Sequence, residues 1–191
     1  MKPTTSEHTN LFWNCRIAAM LVDDLEETTA RNGIFAHAVR RATECHVGAK
    51  GVQYASQAAL DAAGPNREWK NKGLVKEHIV PLSEIARFVR QALANPPPVG
   101  IDAGLSELDG AGYPPAVVAL FREHPRAWQV ARVVRAWTSM AWITRQENER
   151  FADKDLHNGK TITKCMPAGW QPGMSHFMRY DACKIPLVAL F

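Results

Sequence analysis

A carboxylate and an imidazole stand side by side at the end of a short predicted strand. The segment 73–80 has the residue alternation of a strand with charged groups embedded in it, among them Glu77 and His78. Pro81 ends the strand because it has no N–H to donate to a neighbour. An imidazole can activate water, and an adjacent carboxylate can bind a divalent cation. Apolar residues would suit a purely structural strand better, so this pair indicates a site that acts on phosphate. The alternative is that His78 is a structural residue of the strand.

A basic and aromatic loop precedes this strand. Trp69 is interleaved with cations, and one more cation lies within the strand itself. Cations hold phosphate groups while an indole can stack on a base, so the composition is typical of nucleic-acid contact. The alternative is that Trp69 only anchors an exposed loop. The predicted nucleic-acid-binding residues are Arg67, Trp69, Lys70, Lys72 and Lys76.

A second predicted strand, 140–143, leads directly into a helix. Thr144 and Glu147 have the spacing of a capping box, which places 144–148 at a strand-to-helix corner. Backbone N–H groups at such a corner attract anions, and Arg145 could bind phosphate there. We expect this corner and the Glu77–His78 strand end to lie on neighbouring strands and to share one cleft. Glu147 is also explained as a purely structural capping residue.

Glu77-His78-Ile79-Val80-Pro81-Leu82-Ser83 resembles the first motif of the HNH (ββα-metal) nucleases. The resemblance implies that His78 is the general base and that Glu77 contributes to a site for a divalent metal ion, with magnesium as the expected ion. A later asparagine and histidine complete the site in that family. Asn148 and His157 are the candidates for these two positions.

The same strand, running on into Ile85, is similar to the opening of ParB/sulfiredoxin-type domains. That resemblance implies a phosphate-binding role for Arg145 and the possibility of ATP as a bound nucleotide. Size and basic character also place the chain near the plasmid fertility-inhibition proteins of the oncogenic-suppression type. They imply a partner in a secretion or conjugation machinery.

Composition limits the classes of protein that fit. The chain has 191 residues, a formal net charge of +4 and 46% hydrophobic residues, which are values of a globular protein that tolerates an anionic partner. Its four cysteines are scattered without a Cys-x-x-Cys pair, which excludes zinc-finger spacing and suits a reducing compartment. The amino-terminal stretch lacks the features of a signal peptide, and no apolar run reaches the ~18 residues of a membrane span. We therefore expect a cytoplasmic protein.

The periodicity of the chain predicts an α+β fold with a helical N-terminal part, then a small mixed β-sheet with flanking helices. We expect a helical region at 1–64 and an α+β core at 65–191. The apolar end of the chain, 185–191, should dock on the body of the protein. The predicted strands lie near 73–81, 139–144 and 160–165. The predicted helices lie at 5–30, 34–47, 52–63, 83–94, 114–124 and 128–137, with a rigid linker at 95–100 and a loop at 100–113.

The leading hypothesis is a DNA-directed protein of a mobile genetic element, a metal-dependent DNase-like phosphodiesterase. Its predicted catalytic residues are Glu77, His78, Arg145 and Asn148, and its predicted metal ligands are Glu77 and His157. The rival hypothesis is a fertility-inhibition protein that blocks conjugative DNA transfer by binding a partner. In that case Trp69, Trp137 and Trp170 would be the interface anchors.

Overall fold

The computed structural model describes residues 5–23, 29–70, 73–95, 105, 108 and 112–190. Helices and a small mixed sheet confirm the α+β class. The described residues divide into two compact units, one within Met1–Lys50 and Ile85–Trp137 and one within Gly51–Glu84 and Thr138–Phe191. The predicted division at residue 64 is not one of the boundaries between these units. Residues 54–63 supply a strand and a helix to the sheet unit, whereas the helices between 85 and 137 belong to the helical unit.

The helical unit is built around an antiparallel pair, α1 and α2. Glu7 near the start of α1 lies against Gly48 near the end of α2, with Glu7 Oε1 3.1 Å from the position a Cβ would take at Gly48. Phe12 packs edge-on against Phe121 at a centroid distance of 5.2 Å. The helices that contribute to this unit are α1 (Thr5–Asp23), α2 (Thr29–Lys50), most of α4 (Leu82–Ala94), α5 (Pro115–Glu123) and α6 (Pro125–Trp137).

Two predicted helix boundaries in this unit are wrong. The predicted helices 5–30 and 34–47 leave a break at 31–33, but Asn32 and Gly33 lie inside α2. A glycine in a helix costs only about 1 kcal/mol. Burial of Phe35, Ala38 and Val39 on one face of α2 outweighs that cost. The end of α1 falls at Asp23 rather than at residue 30, and the predicted linker at 95–100 lies almost wholly outside the described residues.

The sheet unit contains a four-stranded sheet of order β2-β3-β1-β4 among the described residues. β1 and β3 are parallel, and the β2–β3 and β1–β4 pairs are antiparallel. The strands are β1 (Tyr54–Ser56), β2 (Leu74–His78), β3 (Met140–Thr144) and β4 (Leu187–Ala189). The short helices of this unit are α3 (Gln57–Ala63), α7 (Arg145–Glu149) and α8 (Met178–Ala182).

Two of the three predicted strands are confirmed as β2 and β3, and the third is wrong. Residues 160–165 form no strand. Instead Ile162 is buried in the core below the sheet, and the carbonyl oxygens of Ile162 and Thr163 accept hydrogen bonds from Arg179. The apolar end of the chain does dock, as the edge strand β4. β1 lies inside the segment 52–63, which was predicted as a helix. A strand of three residues is too short to show the alternation by which strands are predicted.

Among the described helices, none combines the length and the apolar character that a membrane crossing requires.

Candidate functional site

The register of β2 and β3 decides which predicted site residues come together. The strands are neighbours, as predicted, but they run antiparallel, so His78 faces Met140 while Leu74 faces Thr144. Arg145 follows Thr144 and donates its backbone N–H to the carbonyl of Gly73 at 2.9 Å. It therefore lies at the beginning of β2, five residues along β3 from the partner of His78, about 17 Å at the rise of an extended strand. The predicted single cleft containing His78 and Arg145 is wrong.

Glu77 is the partner of a buried arginine. Its Oε1 accepts a hydrogen bond from Arg179 Nη1 at 3.0 Å, in an ion pair whose arginine side chain is 0% exposed and whose carboxylate is 27% exposed. Arg179 also donates to the carbonyls of Ile162 and Thr163, and its guanidinium lies 3.9 Å from the centre of the Phe151 ring. A divalent cation bound to this carboxylate would be repelled by the positive charge of the Arg179 guanidinium.

The backbone of His78 is held by the same group. Its carbonyl oxygen accepts hydrogen bonds from Arg179 Nη1 at 3.1 Å and from the hydroxyl of Tyr180 at 3.4 Å. Burial raises the pKa of Tyr180, which keeps that hydroxyl protonated and able to donate. The imidazole is partly exposed, on the face of β2 opposite to Glu77. His78 is therefore fixed in its main chain while its ring reaches solvent.

His157 and Asn148 do not complete a metal site with Glu77. The Nε2 atom of His157 lies 2.9 Å from the carbonyl oxygen of Arg150, so this nitrogen carries the proton and donates. Cys183 Sγ lies 3.6 Å from the same nitrogen, and burial raises the pKa of Cys183 to about 11. Asn148 lies on α7, beside Arg145 rather than His78.

In the part of the chain that the structure describes, no group of three or more His, Cys, Asp or Glu residues could hold a metal ion. The predicted ligands Glu77 and His157 are each engaged within the protein, Glu77 by Arg179 and His157 by the carbonyl of Arg150. Magnesium and ATP remain sequence-based predictions.

Backbone N–H groups at the strand-to-helix corner of Thr144 donate hydrogen bonds within the protein. The N–H of Thr144 donates to Glu147 Oε2 at 2.8 Å, that of Glu147 to the Thr144 hydroxyl, and that of Arg145 to Gly73. The predicted capping box is confirmed. Three of the backbone donors at this corner are therefore satisfied within the protein, and anion binding there stays a prediction.

Glu147 joins two such corners. Besides the Thr144 N–H, its Oε2 accepts hydrogen bonds from the Ser56 hydroxyl at 2.6 Å and the Thr144 hydroxyl at 3.0 Å. Ser56 in turn caps α3 by accepting the N–H of Ala59. Because β1 and β3 are parallel neighbours, their C-terminal ends meet, and one carboxylate serves both helix starts. The role of Ser56 in this bridge was not predicted from the sequence.

We expect Glu147→Ala to lower the free energy of unfolding by about 2–3 kcal/mol, because three donors around a buried carboxylate lose their acceptor. Glu149→Ala, on the same helix but exposed, is the matched control. Urea denaturation followed by circular dichroism measures both variants. Equal losses for the two variants would mean that the bridge between the corners contributes nothing.

A flat aromatic pair lies on one face of the β2–β3 strand pair. Trp69 from the loop stacks on Trp142 from β3, with ring centres 5.6 Å apart and planes 7° from parallel. Lys76 is the cross-strand partner of Trp142, in the middle of the strand pair, so its side chain lies on the same face. Arg145 lies next to the start of β2, through its bond to Gly73. We call Arg67, Trp69, Lys70, Lys76, Trp142 and Arg145 the tryptophan face.

Main-chain hydrogen bonds hold the loop that presents Trp69. Gly64 ends α3 with a positive φ of 68°, and Arg67 has a φ of 52°. The N–H of Arg67 donates to Gly64, that of Glu68 to Ala63, and that of Trp69 to Arg67. The Trp69 ring packs against the cluster around Leu74. All four cations of the face are exposed. Lys72, also predicted to bind nucleic acid, lies outside the described residues.

The three predicted tryptophan anchors differ in their surroundings. Trp69 is stacked on Trp142, and Trp170 donates its Nε1–H to the carbonyl of Ser175. Trp137 belongs to the helical unit, where it packs against Phe88 at a centroid distance of 4.6 Å. All three are half-buried. The partner-binding hypothesis itself stays a prediction.

Comparisons of the chain with protein-family models, curated proteins and solved structures give no match.

Proposed function

We propose that this protein binds nucleic acid, DNA in the first place, through the tryptophan face and without sequence preference. The supporting observation is the parallel Trp69–Trp142 stack with Lys76 on the same face and Arg145 next to the start of β2. Its elements come from a loop and two strands, and main-chain hydrogen bonds hold all of them. The face is therefore preorganised rather than assembled on binding.

The tryptophan face suits contact with the phosphate backbone of a nucleic acid more than recognition of its base sequence. Exposed Arg67, Lys70, Lys76 and Arg145 can each neutralise a phosphate, and counterion release then drives binding. An indole has a π-face on which any base can stack. No helix of eight or more residues belongs to the described part of the face, so base edges in a groove have no recognition helix to contact.

Charge reversal tests this proposal. The triple variant Arg67→Glu, Lys70→Glu and Arg145→Glu should weaken binding to all sequences alike, and the slope of log affinity against log salt should fall by about 2–3. Fluorescence anisotropy of labelled oligonucleotides at several salt concentrations measures both effects.

The matched control reverses three exposed cations elsewhere in the sheet unit, Lys154, Lys160 and Lys184. Both triples change the net charge equally, so a general charge effect would act on both. The proposal requires that the slope of log affinity against log salt falls in the first triple variant and not in the second. An unchanged slope in the first triple, or equal losses in the two, would show that the tryptophan face is not the contact surface.

A second candidate function is hydrolysis of a phosphodiester with His78 as the general base. The observation that favours it is the fixed main chain of His78 beside a partly exposed ring. A base whose main chain is held in place loses little conformational entropy when it removes a proton from water. Glu77 would then act as a positioning residue through Arg179 instead of as a metal ligand.

A further inference from the structure

The solvent-facing side of α1 carries three large apolar residues in a row. Trp13, Ile17 and Met20 are 44%, 43% and 62% exposed and follow one another at the spacing of a single helix face. The opposite side of α1 is buried in the helical unit through Leu11, Phe12 and neighbouring residues. A surface helix ordinarily presents charged residues to water, so this stripe has the character of a contact surface.

A cavity of about 330 Å³ adjoins the stripe at Met20. Its apolar lining includes the buried Ala19 and Ala127 together with Pro125. A flat stripe beside a recess of this size suits a protein segment that inserts one side chain while it packs along a helix.

The described residues that line the recess include two arginines and one carboxylate. The guanidinium of Arg16 lies 5.2 Å from the ring centre of Trp13, and Arg16 also lines the cavity. Arg126 lies across the cavity, where Glu123 is the carboxylate among the lining residues. A partner with carboxylates beside its apolar residues would be attracted and aligned by these charges.

We infer that Trp13, Ile17, Met20 and the adjoining recess form a docking site for an acidic amphipathic helix of a partner protein. A second copy of this chain would place two patches that both carry Arg16 and Arg126 against each other, because a two-fold interface uses the same surface patch of both subunits. A lipid surface would leave the recess unfilled. The inference concerns the helical unit and is independent of the nucleic-acid proposal.

Selection of binders from a displayed library of helical peptides tests the inference, with the full chain as the target. Selected sequences should place apolar residues at i, i+4 and i+7 and should be enriched in Asp and Glu beside them. Synthetic peptides from the pool should bind the wild type and lose at least tenfold in affinity with Trp13→Ala. Arg126→Glu should weaken the same peptides.

Leu156→Ala is the matched control, because it removes another large exposed apolar side chain, in the sheet unit. Circular dichroism confirms that every variant is folded. A basic or unenriched peptide pool, or peptides that bind Trp13→Ala as tightly as the wild type, would overturn the inference. So would sedimentation showing that the stripe pairs two copies of the chain, or binding of phosphatidylserine vesicles that Trp13→Ala abolishes while no peptide is selected.

Discussion

Replacement of Arg179 by methionine is expected to destabilise the protein by about 3–5 kcal/mol, the usual cost of removing one partner from a buried ion pair. The guanidinium donates to Glu77, to the carbonyl of His78 and to the carbonyls of Ile162 and Thr163. Methionine fills a similar volume but leaves these acceptors without donors. The free energy of unfolding from urea denaturation measures the loss.

Two further variants separate the ion pair from the carbonyl contacts. In Glu77→Leu/Arg179→Met no charge remains unpaired, so part of the loss should be recovered relative to Arg179→Met alone. Arg150→Met is the matched control, since Arg150 is exposed and donates to the carbonyls of Cys183 and Lys184 at the longer distances of 3.3 and 3.4 Å. A loss in Arg179→Met no larger than that in Arg150→Met would refute the role of Arg179 as an organising residue.

The second large effect concerns hydrolysis. If His78 is the general base, His78→Ala should lower the rate of phosphodiester cleavage by about 10²-fold or more, because the base acts on the reacting water. Affinity for nucleic acid should change little, since the exposed cations of the tryptophan face are unchanged in this variant. Single-turnover cleavage of a labelled oligonucleotide gives the rate, and anisotropy gives the affinity.

His157→Ala is the matched control for this experiment. His157 is another partly exposed histidine, but its Nε2 is engaged by the carbonyl of Arg150, so its removal should leave the rate unchanged. Addition of a chelator shows separately whether the reaction needs a divalent cation. Full cleavage by His78→Ala would exclude His78 as the base, and a wild-type protein that binds but never cleaves would leave binding as the whole function.

Features of this protein that depend on neighbouring residues could be predicted from its sequence. β2 and β3, the helix α4 and the capping box of Thr144 and Glu147 follow from alternation, helical period and a three-residue spacing. Such features are determined by hydrogen bonds and side-chain directions within a few residues of chain. The docking of the apolar end followed from its composition, although its pairing with β1 did not.

Which polar groups contact one another depends on the packing of segments that are distant in the sequence. Adjacent strands can be parallel or antiparallel, and the antiparallel choice places His78 and Arg145 at opposite ends of β2. Glu77 finds Arg179 102 residues away, and Glu147 finds Ser56 91 residues away. No local pattern encodes such partners, because a buried charge is compensated by whichever group the packing of distant segments brings within hydrogen-bond distance.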